Sequence, residues 1–221
     1  LPAASHRRLV VDIGGGSTEF IIGEGTEPVL MESLFMGGIS YRQRFFPDGK
    51  VDKKRLYAAE VSAAREVEAI VVDYQRCGWG EAVGSSGSAQ ELATLLEMNA
   101  LNPQGENGIT REGLARMRQL LIRAGSAEAL NLKGMRPDRC LILPGAIAIM
   151  SAVFAEMGLE RMTYSDGALP LGVLYDLLGR FAHHDTRDTT VTQFMQRYQV
   201  DETQVRRVER TALLILGQMI K

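Results

Sequence analysis

The chain has 221 residues, with 25 lysines and arginines against 27 aspartates and glutamates, so its formal net charge is −2. This near balance excludes a polybasic arm for nucleic acid, and 45% hydrophobic with 24% charged residues is typical of a globular protein. No apolar run approaches the roughly 20 residues that a membrane helix needs. We therefore expect neither a nucleic-acid partner nor a membrane partner.

The cysteine content and the two chain ends predict where the protein is located and whether it is part of a longer protein. Cys77 and Cys140 are too few for a disulfide framework, and no charged and then apolar leader opens the chain. These features predict a reducing, cytoplasmic location. The chain begins with Leu1 and ends inside an expected helix at 203–220 that has no stop signal, which predicts a piece of a longer protein.

The first 36 residues predict a three-stranded meander. An apolar run at 9–11, an alternating run at 19–23 and an apolar segment at 29–36 have the character of strands. The first turn is made of Gly14, Gly15 and Gly16, and the second turn carries Gly25 and Pro28. A meander whose first turn is all glycine is the first functional clue.

The remaining chain alternates helices and short strands, which indicates an α/β fold. Helical spacing or turn signals predict helices at 39–46, 52–74, 89–98, 111–124, 146–157 and 168–178, and strands at 80–83 and 161–165. A polar loop is expected at 102–110. A charged linker at 180–190 is expected to lead to two helices, 191–198 and 203–220, that open an incomplete all-helical domain.

The most informative segment is Asp12 followed by the three glycines, Ser17, Thr18 and Glu19. Glycines let the backbone approach a ligand and aim N–H groups at phosphate. Asp12 next to such a loop is favourable if Mg²⁺ lies between carboxylate and phosphate, and Glu19 is placed to hold a water molecule. The alternative interpretation is a tight hairpin turn that Asp12 merely caps.

Five motifs in order resemble the exopolyphosphatase/guanosine pentaphosphate phosphohydrolase (Ppx/GppA) family. They are the segments 11–19, 36–40, 84–88, 144–145 and 165–169, the last with 172–175. The family has the actin-like, ribonuclease-H-like fold of sugar kinases and Hsp70 proteins, with two lobes facing across a cleft. The resemblance implies that residues 1–179 are the second lobe and that 191–221 begin the helical domain.

The resemblance also implies an activity and its site residues. A Mg²⁺-dependent hydrolase of this family releases terminal orthophosphate from polyphosphate or the 5′ γ-phosphate from guanosine pentaphosphate. Asp12 and Glu19 would be the catalytic residues and the ligands of Mg²⁺ and water, while residues 14–18 would hold phosphate oxygens: Gly14, Gly15, Gly16, Ser17 and Thr18. The expected partners are these substrates, the upstream lobe and, as in members that pair, a second copy in a homodimer.

A second small-residue loop, 84–88, occupies the place of a nucleotide-facing turn in actin-like proteins. Its expected phosphate ligands are Gly84, Ser85, Ser86 and Gly87, although a plain helix N-cap fits the same residues equally well. The segment 36–40 is likewise either part of the site or only a strand-to-helix turn.

The sequence departs from the family pattern in two places and contains one further motif, a pair of histidines. The family's other phosphate loop and its water-activating glutamate lie upstream of Leu1, so this chain is expected to be inactive alone. Pro170 and Leu171 replace an Arg-Glu pair of many members, which puts an anion contact in doubt. His183 and His184 are adjacent and not on one helix face, which favours a solvated linker over a metal site.

Two rival functions remain open from the sequence. An ATP-dependent kinase of the same fold needs an adenosine pocket and an acceptor site, and the Ser-Thr-Glu continuation at 17–19 favours the hydrolase. A non-catalytic module that binds phosphate or nucleotide would be favoured by loss of Asp12 or Glu19, and both are present.

Overall fold

The computed structural model describes residues 7–25, 27–165, 191, 195 and 198–219. By its internal contacts the chain divides into two compact units, Leu1–Ala168 and Leu169–Lys221. The first unit contains a six-stranded sheet with helices packed on it. The described part of the second unit contains a long helix with exposed side chains.

The sheet is mixed, and its strand order is β3-β2-β1-β4-β6-β5. β1, β2 and β3 form an antiparallel meander, β1, β4 and β6 are parallel, and β5 returns antiparallel to β6. The carboxyl ends of β1 and β4 therefore meet at one edge of the sheet. The bounds of the strands are β1 Arg8–Ile13, β2 Thr18–Glu24, β3 Glu27–Leu34, β4 Glu81–Gly84, β5 Ile109–Thr110 and β6 Arg161–Tyr164.

The helices begin and end where the sequence supplies caps. Asp52 accepts a hydrogen bond from the Arg55 amide at 2.8 Å to start α2, and Gly78, with φ of 71°, ends it. Ser86 and Thr110 cap α3 and α4 in the same way. The bounds are α1 Gly38–Phe45, α2 Lys53–Cys77, α3 Gly87–Met98, α4 Arg111–Ala124, α5 Pro137–Cys140, α6 Leu143–Glu156 and α7 Glu202–Met219.

Strand alternation decides which face of the sheet forms the core. Leu9, Val11, Phe20 and Ile22 are fully buried on the face that packs against the helices. The buried Tyr74 hydroxyl of α2 donates to the Phe20 carbonyl at 2.7 Å, which ties that helix to the sheet. The alternate positions of β1 and β2 are only half-buried and are free to carry chemistry.

The structure confirms the predicted α/β class and the opening meander. The loop expected at 102–110 ends in the short strand β5, and α5 was not predicted because four residues are too few to show a period. α6 begins at Leu143 rather than at 146. Pro144 is tolerated in its first turn because the N–H group that proline lacks would have no hydrogen-bond partner within the helix at that position. The predicted helix at 168–178 and the linker at 180–190 lie outside the described residues.

The two cysteines differ in their surroundings. Cys140 is buried, and burial raises the pKa of its thiol. Cys77 is only half-buried, and its Sγ accepts a hydrogen bond from Arg7 Nη1 at 3.4 Å. In the part of the chain that the structure describes, none of the helices is both long and apolar enough to cross a membrane.

Candidate functional site

Two carboxylates face each other across the first strand pair. Asp12 of β1 and Glu19 of β2 are register partners, so their side chains lie on the same face of the sheet. Directly opposite residues of an antiparallel pair have Cβ atoms about 5 Å apart. Both residues are half-buried, on the face opposite the fully buried core positions. The predicted pair of acidic residues is therefore brought together by register, one strand on each side of the glycine turn.

Three serines hold these carboxylates in place. Ser85 Oγ donates to Asp12 Oδ2 at 3.1 Å, while Ser17 Oγ and Ser33 Oγ donate to Glu19 Oε1 at 2.6 and 3.0 Å. Among the described residues, the other oxygen of each carboxylate accepts no hydrogen bond. We call Ser33, Glu19, Asp12 and Ser85, which lie side by side across β3, β2, β1 and the end of β4, the polar row.

The glycine loop, residues 14–17, turns its carbonyls and its amides to different partners. The carbonyl of Gly14 accepts from the Gly38 amide at 2.9 Å, and that of Gly15 accepts from Ile39 and Ser40 at 2.9 and 3.1 Å. The amides of Gly15, Gly16 and Ser17 have no acceptor among the described residues. Successive unpaired amides in a turn form an anion-binding nest.

The segment 36–40 supports this loop. The first amides of α1 lack partners within the helix, and the loop carbonyls satisfy them. A Cβ at Gly37 would lie 2.5 Å from backbone atoms of Gly15 and Gly16, so only glycine permits this approach. The α1 N-terminus is therefore occupied by the protein itself, and the segment is a strand-to-helix turn with a supporting function.

Gly14, Thr18 and Gly84 do not fit the phosphate-binding prediction. The Gly14 amide donates to the Ser17 carbonyl at 2.9 Å and is therefore not available to a ligand. Thr18 is fully buried, and its hydroxyl donates to the Met36 carbonyl at 2.5 Å. Gly84 is buried beneath α3, where a Cβ would lie 2.4 Å from the Ala89 Cβ. Thr18 ties β2 to the turn before α1, and Gly84 permits close packing of a strand and a helix.

Each serine of the second small-residue loop makes a different hydrogen bond. Ser85 holds Asp12, Ser86 accepts from the Ala89 amide at 3.1 Å as the cap of α3, and Ser88 Oγ donates to the Ile13 carbonyl at 3.1 Å. The helix N-cap interpretation therefore holds for Ser86. Gly87 alone in this loop is exposed.

Arg139 is a residue that the sequence did not point to. It lies against Gly87, where an added Cβ would be 2.7 Å from Arg139 Nη2. A guanidinium beside the positive end of α3 favours an anion in the same place. The guanidinium also interacts electrostatically with the buried carboxyl of Glu91. Burial raises the pKa of Glu91, and the positive charge of Arg139 offsets part of that rise. No motif connects residues 87 and 139, because the contact is made only by folding.

In the described part of the chain, the candidate metal ligands are Asp12 and Glu19. Among the residues that the structure describes, no group of three or more histidine, cysteine, aspartate or glutamate side chains could hold a metal ion. Two carboxylates, each with one oxygen unused by the described residues, fit Mg²⁺, which keeps several waters and takes its other ligands from substrate phosphates. His183 and His184 lie outside the described residues.

The mixed sheet, with a glycine turn between the strands that carry Asp12 and Glu19, defines the class of this protein as an α/β fold with a candidate phosphate site. Residues 2–181 match the sequence profile of the Ppx/GppA phosphatase family. The chain belongs to the Ppx/GppA family, which confirms the resemblance seen in its motifs.

Two named relatives are similar over almost the whole of this chain. The guanosine-5'-triphosphate,3'-diphosphate pyrophosphatase of Photobacterium profundum is 35% identical over 214 residues, 97% of this chain and 42% of that protein. The enzyme of the same name from Aeromonas hydrophila is 36% identical over 220 residues, 98% of this chain and 43% of that protein. This chain therefore spans less than half the length of these relatives.

Solved structures of similar proteins agree on the fold. The Ppx/GppA family member of Aquifex aeolicus has a TM-score of 0.69 at 22% identity, over 81% of this chain and 58% of that one. An exopolyphosphatase of Cytophaga hutchinsonii has a TM-score of 0.66 at 24% identity, over 80% and 59%. The actin-like α/β fold is thereby confirmed.

Proposed function

We propose that this chain is the phosphate-binding lobe of a Mg²⁺-dependent hydrolase that releases terminal orthophosphate from guanosine pentaphosphate or polyphosphate. The observation that carries the proposal is the register pair of Asp12 and Glu19 beside three unpaired loop amides. The names of the relatives from Photobacterium and Aeromonas support guanosine pentaphosphate as a substrate.

The glycine loop binds the phosphate to be released. The amides of Gly15, Gly16 and Ser17 donate to its oxygens, and the tie between the loop carbonyls and α1 keeps those amides in position before substrate arrives. Phosphoryl transfer is catalysed mainly by positioning of the reacting groups and stabilisation of charge, and a rigid nest of N–H donors can provide both. Arg139 adds positive charge at the second loop, where further phosphates of the chain would extend.

Asp12 and Glu19 are the residues that would hold Mg²⁺. When bound, the ion neutralises charge that develops on the phosphate oxygens and orients the leaving group. Ser85 donates to one oxygen of Asp12, and Ser17 and Ser33 both donate to one oxygen of Glu19, so the oxygen that remains on each carboxylate is fixed in direction. In the family the water-activating glutamate and a second phosphate loop lie on an upstream lobe, so we expect no orthophosphate release from this chain alone.

Orthophosphate release tests the proposal. This chain and a version extended upstream to the length of its relatives would each be incubated with Mg²⁺ and either guanosine pentaphosphate or long-chain polyphosphate. Release by the extended protein only is the expected result. Release from neither substrate, with nucleotide binding retained, would replace the hydrolase by a binding module, and phosphate transfer from ATP to an acceptor would replace it by a kinase.

Asp12→Asn in the extended protein should lower kcat for orthophosphate release by ~100-fold or more, because several kcal/mol of charge stabilisation are lost. The Asn side chain has nearly the same shape and still accepts from Ser85, so the melting temperature should change little. Asp73→Asn, an exposed change on α2, is the matched control for loss of one negative charge. Equal turnover in the Asp12 variant and the wild type would remove Asp12 from the site.

A further inference from the structure

Phe35 is the most exposed of the large hydrophobic side chains in the described residues, at 90% of its surface. It directly follows β3, between Leu34 and Met36, both of which are buried. The alternation along β3 places Leu34 on the core face and Ser33 on the face of the polar row. The Met36 amide donates to the Leu34 carbonyl at 2.8 Å, so β3 ends in a tight turn centred on Phe35, whose side chain projects into solvent.

The position of Phe35 along the sheet is set by register. β3 and β1 are both antiparallel to β2, so they run in the same direction, and their carboxyl ends lie at the edge where the glycine loop begins. Phe35 is two residues beyond the polar row along β3 and two strands away from Asp12. Leu34 is the register partner of Thr18, so Phe35 follows beside the end of the glycine loop. A ligand that is held by the loop amides and extends along this edge of the sheet reaches Phe35.

A second partly exposed apolar side chain lies at the glycine loop. Ile39, about half exposed, packs over the loop, and its Cδ1 would be 3.1 Å from a Cβ at Gly15. A phosphate chain has no apolar surface that would cover Phe35 or Ile39. A nucleotide has one, because its base is a flat aromatic ring at the far end from its terminal phosphate.

We propose that Phe35 is the platform on which the guanine ring of guanosine pentaphosphate stacks, and that it selects this substrate over polyphosphate. The inference rests on the proposed function and adds a specificity-determining residue to it. The terminal phosphate lies on the glycine loop, the phosphate chain and ribose pass over Ile39, and the base covers Phe35. Stacking of a base on an aromatic side chain is strong enough to affect substrate choice, at roughly tenfold per base.

Substrate selectivity measures this role. In the extended protein, Phe35→Ala should lower the ratio of kcat/KM for guanosine pentaphosphate to kcat/KM for polyphosphate by roughly tenfold, mostly through KM. Phe35→Tyr keeps the ring and should restore the ratio. Equilibrium binding of guanosine tetraphosphate and of tripolyphosphate provides a second readout that needs no turnover, and only guanosine tetraphosphate should bind more weakly to Phe35→Ala.

Two further variants make the result specific to this position. Tyr57→Ala removes an aromatic ring that is 62% exposed and lies on α2 rather than on the sheet, and it should leave kcat/KM for both substrates as in the wild type. Tyr164, 37% exposed at the end of β6, is the register partner of Gly84 and lies beside the second loop. A selective loss in Tyr164→Ala with none in Phe35→Ala would move the base to that side and overturn the proposal.

The remaining outcomes separate this inference from the proposed function. Equal losses on both substrates in Phe35→Ala would show that the ring packs against another part of the protein, such as an upstream lobe, and would overturn the platform. A wild-type protein that binds tripolyphosphate as tightly as guanosine tetraphosphate would also overturn it. Failure of the proposed function appears differently, as no orthophosphate release from either substrate by the wild type.

Discussion

At the scale of single residues, Glu91 is the carboxyl that the fold buries most heavily among those described. It is 9% exposed, and its Oε1 has no hydrogen-bond partner in the described structure. Burial raises the pKa of this group above its ordinary value of 4.5, and the positive charges of Arg139 and Arg136 offset part of that rise. An ionised carboxylate at this position therefore opposes folding.

The sign of this effect gives a stability prediction. Because the folded-state pKa is raised, the folded chain binds the proton more tightly, so stability falls as pH rises from the unfolded to the folded pKa. Glu91→Gln removes the ionisation, and its melting temperature should exceed that of the wild type at pH 8. The difference should disappear below about pH 4, where both states of the wild type are protonated.

Melting curves of this chain from pH 4 to pH 8 would check the prediction for Glu91→Gln. The matched control is Glu68→Gln on the exposed face of α2, which should show no gap that depends on pH. A gap of the same size at pH 4 and pH 8 would assign the effect to packing of the amide rather than to the charge.

At the scale of elements, the glycine loop and α1 form one unit because each supplies the hydrogen-bond partners that the other lacks. The helix has amides without partners in its first turn, and the loop has carbonyls that a reversal of the chain leaves unpaired. Their mutual bonds leave only the loop amides for a ligand. This arrangement requires the two backbones to approach closely, which explains Gly37 in physical terms.

Two alanine substitutions should separate support of the loop from ligand binding. A Cβ at Gly37 would overlap the backbone of Gly15 and Gly16 at 2.5 Å, whereas a Cβ at Gly16 meets nothing within 4 Å. Gly37→Ala should therefore lower the free energy of unfolding by about 1–3 kcal/mol, the usual range for overpacking. Gly16→Ala should leave stability nearly unchanged and weaken binding of tripolyphosphate, because its methyl group stands on the open side of the nest.

Urea unfolding and equilibrium binding of tripolyphosphate with Mg²⁺ would measure these two effects in the same preparations. Loss of stability in Gly16→Ala as large as in Gly37→Ala would contradict the division. Unchanged binding in Gly16→Ala would place the phosphate away from the loop amides.

The same elements show what the sequence can and cannot predict. Local signals suffice for the meander, for the caps at Asp52 and Ser86, and for the pairing of Asp12 with Glu19, because a short turn between two strands sets their register. They do not reveal that the Thr18 side chain points into the core, because a shift of one residue in where β2 begins would place that side chain on the opposite face of the sheet. Arg139 was missed because its contact with Gly87 joins distant segments.

At the scale of the whole molecule, the two compact units differ in how much of their apolar surface the described structure buries. The first unit has a continuous core running from the sheet to α6. On α7, the apolar side chains at 213–216 are each more than half exposed. Ligand binding at the glycine loop should therefore stabilise the first unit.

Hydrogen exchange of this chain would resolve that stabilisation by segment. A ligand at 100 times its dissociation constant stabilises the state that binds it by about 2.7 kcal/mol. With Mg²⁺ and tripolyphosphate, exchange should slow at β1, β2, α1 and the start of α3, and should not change in α7. Asp12→Asn should abolish the protection that depends on Mg²⁺, while Asp73→Asn should retain it.

The pattern of protection also decides where the ligand acts. Slowing confined to the glycine loop and its neighbours places both phosphate and metal in the first unit, since exchange at α7 reports a separate set of backbone hydrogen bonds. Equal slowing in α7 would mean that the polyanion binds the arginines of that helix, Arg206, Arg207 and Arg210, rather than the nest. Slowing without Mg²⁺ that persists in Asp12→Asn would leave the amides as the phosphate site and remove the metal from it.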